Sequence, residues 1–152
     1  MKTDKSLPHI EPKISFGILN TLLGYHLRRA QASVFDDFMS VMADNQITPG
    51  QFGVLTLIDA NPGLNQSTLA KTIGIGRSTM VPVIDGLEKR QLIERRKSVE
   101  DKRSYALAMT SKGDALMKEI NPKVLAHEQK IVADLSDEEI KTLSNLLSRI
   151  YR

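Results

Sequence analysis

Between Asn65 and Thr110 the chain passes through a set succession of pieces, and their order limits the fold more than any other feature. Gln66–Ile73 has the apolar spacing of a short helix, Gly74-Ile-Gly76 is a turn, and Arg77–Arg90 is a second helix. A basic strand, Leu92-Ile-Glu-Arg-Arg-Lys97, leads through the polar loop Glu100-Asp-Lys-Arg103 to a return strand, Tyr105–Thr110. Two short helices at a glycine turn, followed by a charged hairpin, predict a helix-turn-helix with a β-wing. In that arrangement one helix can enter a major groove while the wing reaches the flanking backbone.

The rest of the chain reads as helix. Residues 1–12 are polar, hold Pro8 and Pro12, and are expected to form a flexible arm. From Lys13 to Ala43, Phe16, Leu19, Leu23, Leu27, Ala30, Val34, Phe38 and Val41 recur at steps of three and four. This predicts one amphipathic helix of roughly 30 residues, about 45 Å long. Such a helix exceeds the needs of a small core, so part of it is expected at a subunit interface. Thr48-Pro49 is a helix start, and Pro49–Ala60 should be helical until Asn61-Pro-Gly63. After the hairpin, Ser111–Asp134 resumes helical spacing, with Pro122 expected to bend or break it. Ser136-Asp-Glu-Glu139 is a capping box that opens a last helix carrying Ile140, Leu143, Leu146, Leu147 and Ile150.

Charge is unevenly spread. Residues 62–112 hold ten Lys/Arg against five Asp/Glu, while the remainder holds eleven against thirteen. A basic segment beside a slightly acidic remainder suits a polyanionic partner. The 152 residues contain no cysteine, which removes disulfides and thiolate metal sites and suits a reducing cytoplasm. No signal-peptide core and no membrane-length apolar run is seen, so no membrane association is expected. His9, His26 and His127 are scattered, and neither a metal-spaced cluster, a phosphate loop nor a nucleophile motif is present. No catalytic residue, metal or cofactor is therefore expected.

On the second helix, Met80, Ile84 and Leu87 form the face predicted to be buried. The opposite face presents Ser78, Val81, Pro82, Asp85 and Lys89, with Arg77 and Thr79 in the first turn. Arg77 and Lys89 can reach guanine edges or phosphates, and Ser78 and Thr79 suit either. Val81 and Pro82 either touch thymine methyl groups or cover a neighbouring side chain. Gln66 and Ser67, at the start of the first helix, and Arg95, Lys97 and Lys102 of the wing complete the expected DNA contacts. At the wing tip, Asp101 stands two residues before Arg103. It either holds that guanidinium toward a groove or phosphate, or forms an ordinary exposed ion pair.

The runs Leu69-Ala-Lys-Thr-Ile-Gly-Ile-Gly-Arg-Ser-Thr79, Asp85-Gly-Leu-Glu-Lys-Arg90, Asp101-Lys-Arg103 and Leu107-Ala-Met-Thr-Ser-Lys-Gly113 together resemble the MarR family of bacterial transcription regulators. The likeness extends over roughly residues 13–151. It departs at Gln91, where the family usually has glycine, and at Gly86, where it often has a basic residue. The resemblance implies a mainly α fold with a small β-wing. A winged helix-turn-helix region (46–112) would be flanked by an N-terminal helix (13–45) and C-terminal helices (113–152) that serve dimerisation. It further implies a homodimer that binds pseudo-palindromic double-stranded operators, usually as a repressor released by a small ligand. Tyr25, His26, Arg29, Phe52 and Met117 are the residues expected to meet such a ligand. Aromatic, imidazole and guanidinium groups within two turns suit an aromatic carboxylate or an acyl-CoA ester. These groups could equally be core caps and solvated or paired cations. A winged helix used only for protein–protein contact is the competing reading, against which the basic segment argues.

Overall fold

Several helix starts fall where a side chain can satisfy the free backbone amides, and those at Thr48 and Ser136 are the ones expected from the sequence. A computed structural model describes residues 14–97 and 105–151, which divide between two units, Met1–Ser33 and Val34–Arg152. The expected arm (1–12) and the wing tip with Asp101, Lys102 and Arg103 lie outside the described residues.

In the first unit a 3-10 helix, Gly17–Thr21, is followed by extended Leu22 (φ −91°, ψ 117°) and then by α1, Leu23–Val41, which runs on into the second unit. The single helix expected from residue 13 to 43 is thus two pieces. Extended Leu22 interrupts the helical ladder, and its carbonyl accepts from the amides of Tyr25 (3.1 Å) and His26 (3.4 Å) that open α1. A 3-10 turn repeats every three residues, so the apolar spacing runs across the break without registering it. Ile14, Phe16, Ile18, Leu19, Leu22 and Leu23 are exposed.

In the second unit, α2 (Pro49–Ala60) starts at a complete capping box. Gln51 N donates to Thr48 Oγ1 (3.2 Å) and Thr48 N donates to Gln51 Oε1 (3.1 Å). Helix α3 (Gln66–Ile73) is capped by Asn65, whose side chain accepts from Thr68 N at 2.8 Å. It ends at Gly74, whose left-handed φ of 78° costs a glycine little and turns the chain sharply into α4 (Arg77–Lys89). Strands β1 (Ile93–Lys97) and β2 (Tyr105–Met109) pair antiparallel with Ile93 opposite Met109 and Arg95 opposite Leu107. A third segment touches this hairpin: Leu107 N donates to Leu64 O at 2.8 Å, and Asn65 bridges Ala106.

Helix α5 (Ser111–Ile131) is unbroken, against the expectation that Pro122 would interrupt it. The bond proline removes would end on the Lys118 carbonyl, and both residues are exposed, so water can serve that oxygen. Gly113 approaches the wing so closely that a Cβ would lie 2.1 Å from the Leu92 carbonyl oxygen. Helix α6 (Asp137–Ser148) opens on the predicted box between Ser136 and Glu139, and Ile150 falls beyond its end. Serine donors hold the Glu139 carboxyl below its usual range, the Ser136 backbone amide most strongly.

The core of this unit joins Met42, Leu55, Met80, Leu87, Leu107 and Ile120, all buried. At its edge buried His127 meets Phe38 edge-on at 5.5 Å, and its Nδ1 lies 2.9 Å from Asp37 Oδ2. Lys130 pairs with the same carboxylate, and together, Lys130 first, they hold the Asp37 pKa below its usual range.

Candidate nucleic-acid interface

The glycine turn and the buried stripe of α4 determine which side chains face outward. Met80, Ile84 and Leu87 are each 0% exposed, which anchors the helix as its apolar spacing predicts. Arg77, Ser78, Thr79, Val81, Pro82, Asp85 and Lys89 are exposed on the other side. Val81 is 41% exposed, so part of its side chain is open to solvent on this face. Pro82 lies inside an unbroken α4. It withdraws the amide that would otherwise bond the Ser78 carbonyl, leaving an acceptor on the exposed turn. A shallow cavity of about 300 Å³ at the turn is lined by Ser67, Thr68, Ala70, Lys71, Ile75 and Arg77. Two hydroxyls and two cations around a small depression can donate to a phosphate oxygen.

The wing departs from expectation at Arg95. Side chains alternate along a strand, so Arg95 shares a face with buried Ile93. That face looks toward α4, and the guanidinium expected among the DNA contacts is paired there with acids of that helix. It pairs with Asp85 Oδ1 (2.5 Å) and with Glu88, and donates to Gln66 Oε1 at 3.4 Å. The Arg95 amide also donates to Glu88 Oε1 at 3.1 Å. These acids, the Asp85 hydrogen bond foremost, raise the arginine's pKa above its ordinary value. Gln66, half-buried, is likewise turned toward this cluster, whereas Ser67 stays exposed. Arg96, on the outer face, donates to Glu94 at 2.7 Å, and Lys97 is exposed.

Sequence reasoning overlooked Arg90. Its guanidinium binds two consecutive backbone carbonyls in the turn before α2, and backbone acceptors carry no side-chain signature. Gln91 takes φ 61°, a left-handed conformation that explains the glycine expected there.

Of the ligand candidates, Tyr25, His26 and Arg29 come together in the first unit. The Arg29 guanidinium lies 5.9 Å from the Tyr25 ring centroid and donates to the Tyr25 hydroxyl at 3.4 Å, while His26 Nε2 lies 2.9 Å from the Asn20 carbonyl. In the second unit, Phe52 packs on Phe38 at 6.1 Å, and Met117 is a core side chain only 3% exposed. Among the described residues there is no group of His, Cys, Asp or Glu that could hold a metal ion. No described helix is long and apolar enough to cross a membrane.

Residues 47–105, from the turn before α2 into β2, match the MarR family model. Over 131 residues the chain is 42% identical to a putative transcriptional regulatory protein for the hcr operon of Thauera aromatica, spanning 86% of this chain and 79% of that protein. The chain belongs to the MarR family. Two structures of the transcriptional repressor CouR are also similar. One, bound to a 23-mer DNA duplex, is 42% identical with a TM-score of 0.87, covering 93% of this chain and 100% of CouR. The other, bound to p-coumaroyl-CoA, is 40% identical with a TM-score of 0.85, covering 92% and 99%.

Proposed function

We propose that this MarR-family chain is a homodimeric, sequence-specific DNA-binding repressor released by an aromatic acyl thioester or a related aromatic acid. The observation that carries the reading is the exposed first turn of α4, with Arg77, Ser78 and Thr79, beside the hydroxyl- and lysine-lined cavity of α3. The same fold in a relative 42% identical is bound to duplex DNA. Residues 46–112 then form the DNA-binding region, with Lys89 and Lys97 reaching phosphates and Val81 meeting thymine methyl groups. At the wing tip Asp101 orients Arg103, so Asp101→Ala weakens DNA binding although it adds positive charge. Tighter binding at fixed salt would overturn that role.

Apolar side chains left exposed on and after α6, Leu143 (46%), Leu146 (49%) and Ile150 (54%), support association with a second copy. The direct test is selection from a pool of random duplexes. The expected winners are two-fold symmetric, with half-sites about 10 bp apart, one helical turn. Failure to enrich any sequence would overturn the reading.

The aromatic and cationic cluster of Tyr25, His26 and Arg29 supports an aromatic, anionic effector, and CouR bound to p-coumaroyl-CoA supplies the compound to try first. Calorimetry with p-coumaroyl-CoA and free phenolic acids should show binding that His26→Ala and Arg29→Ala weaken. Binding untouched by both changes would remove this assignment.

A further inference from the structure

Arg90, at the C-terminal end of α4, is occupied by the protein itself. Its two terminal nitrogens donate to consecutive carbonyls, Nη1 to Gln46 (2.7 Å) and Nη2 to Asn45 (2.8 Å). The turn it grips is fixed. Gln46 has φ 51° and returns its amide to the Met42 carbonyl at 2.9 Å, while Met42 and Ile47 on either side are buried. The opposite side of the turn is held by α5. Asn45 Nδ2 donates to Glu119 Oε1 (2.8 Å), and Lys123 Nζ donates to Asn45 Oδ1 (2.8 Å) and to Glu119 Oε1 (3.0 Å). A second tie from α5 reaches the same point, because Lys112 Nζ donates to the Arg90 carbonyl at 2.9 Å. The start of α4, by contrast, has no side-chain cap at Gly76.

We propose that Arg90 is a positioning residue. It sets the attitude of α4 against the turn before α2 and against α5, and so contributes to discrimination between DNA sequences rather than to attraction for DNA. The inference rests on the reading of α4 as the base-reading helix. A planar guanidinium can serve two neighbouring carbonyls at once, whereas an ammonium is a point donor on a flexible stem. The fork, more than the charge, is therefore what the position requires. With the fork removed, α4 keeps its buried stripe and the Lys112 bond to the Arg90 carbonyl but loses its side-chain tie to the turn before α2.

The test uses the full chain, a duplex enriched from the random pool by the wild-type protein, and a scrambled duplex of the same composition. Arg90→Ala, Arg90→Lys and Asn45→Ala are compared for affinity across salt concentrations and for thermal unfolding. Arg90→Ala should lower the enriched-to-scrambled affinity ratio about ten-fold, a typical size for coupling between contacting elements. Arg90→Lys should restore less than half of that loss, and the salt slope should stay at the wild-type value in both. Asn45→Ala should lower the ratio in the same direction and be less than additive with Arg90→Ala.

Equal loss on both duplexes, with the slope reduced by about 1, would make Arg90 a phosphate contact and overturn the proposal. A lowered unfolding temperature with an unchanged ratio would make it merely structural and overturn it equally. If the wild-type protein enriches no duplex, the DNA reading fails and this inference falls with it. If the wild type enriches one but the variants keep its ratio, only this inference fails.

Discussion

The basic residues of the helix-turn-helix and wing fall into two groups that charge counting treats alike. Lys71 and Arg77 at the α3–α4 turn, and Lys89 on the outer face of α4, are exposed and form no ion pair among the described residues. Arg90 and Arg95, at the far end of α4 and the base of the wing, are bound to carbonyls and carboxylates. Arg96 stands between, since its pairing with Glu94 is exposed on both sides and such pairs are worth only about 0–1 kcal/mol. A positive balance thus overstates the surface offered to a polyanion. Part of the charge is bound within the protein at the end of α4 and the base of the wing, and the proposed DNA contacts fall to the rest.

The sharpest way to break this division is to neutralise the acids that hold Arg95. If Asp85 and Glu88 were only repulsive charges near DNA, Asp85→Asn with Glu88→Gln would tighten binding to any duplex. If they hold the wing against α4, the pair of changes should weaken the enriched duplex by about 1–3 kcal/mol while scrambled DNA gains or stays level. A titration of both duplexes at one salt concentration decides it.

A smaller effect is expected where the bound group meets its backbone. Gln91 sits at φ 61° between Arg90 and β1. Gln91→Gly should stabilise the fold by about 1 kcal/mol by relieving the left-handed conformation, partly offset by the freer unfolded chain. Unchanged or lower stability on denaturant unfolding would mean that the side chain contributes at this junction.

Much of this was legible in the residues. The Thr48-Pro49 pair and the Ser136/Glu139 box placed two helix starts, and Met80, Ile84 and Leu87 gave the buried face of α4. The parity of Arg95 with Ile93 was available too, since a strand places alternate residues on one face. The acids that claim Arg95 sit seven and ten residues away on another element, and pattern within a strand does not report them. The break at Leu22 was hidden because single steps of three and four residues, Phe16 to Leu19 to Leu23, fit a 3-10 turn followed by an α-helix as well as one continuous helix. Pro122 misled because its cost depends on whether the orphaned carbonyl sees water.

The smallest predicted effect lies away from the interface and serves as a control. Lys130 and His127 depress the Asp37 pKa in the folded state. Their contribution is present above the unfolded carboxylate range and is lost as pH falls through the lowered folded value. Asp37→Asn should therefore remove part of the stability seen near neutral pH and flatten the decline below about pH 4. It should leave the salt dependence of DNA binding unchanged. An unfolding series against pH that overlays wild type would show that the contact contributes nothing.

The division between the two groups is tested most directly by the slope of log affinity against log salt for Arg77→Ala and Arg95→Ala on one scrambled duplex. Each phosphate contact contributes about 0.9 to that slope. Arg77→Ala should reduce it by about 1, and Arg95→Ala should leave it at the wild-type value. Equal reductions in the two variants would contradict the division and return Arg95 to the DNA surface.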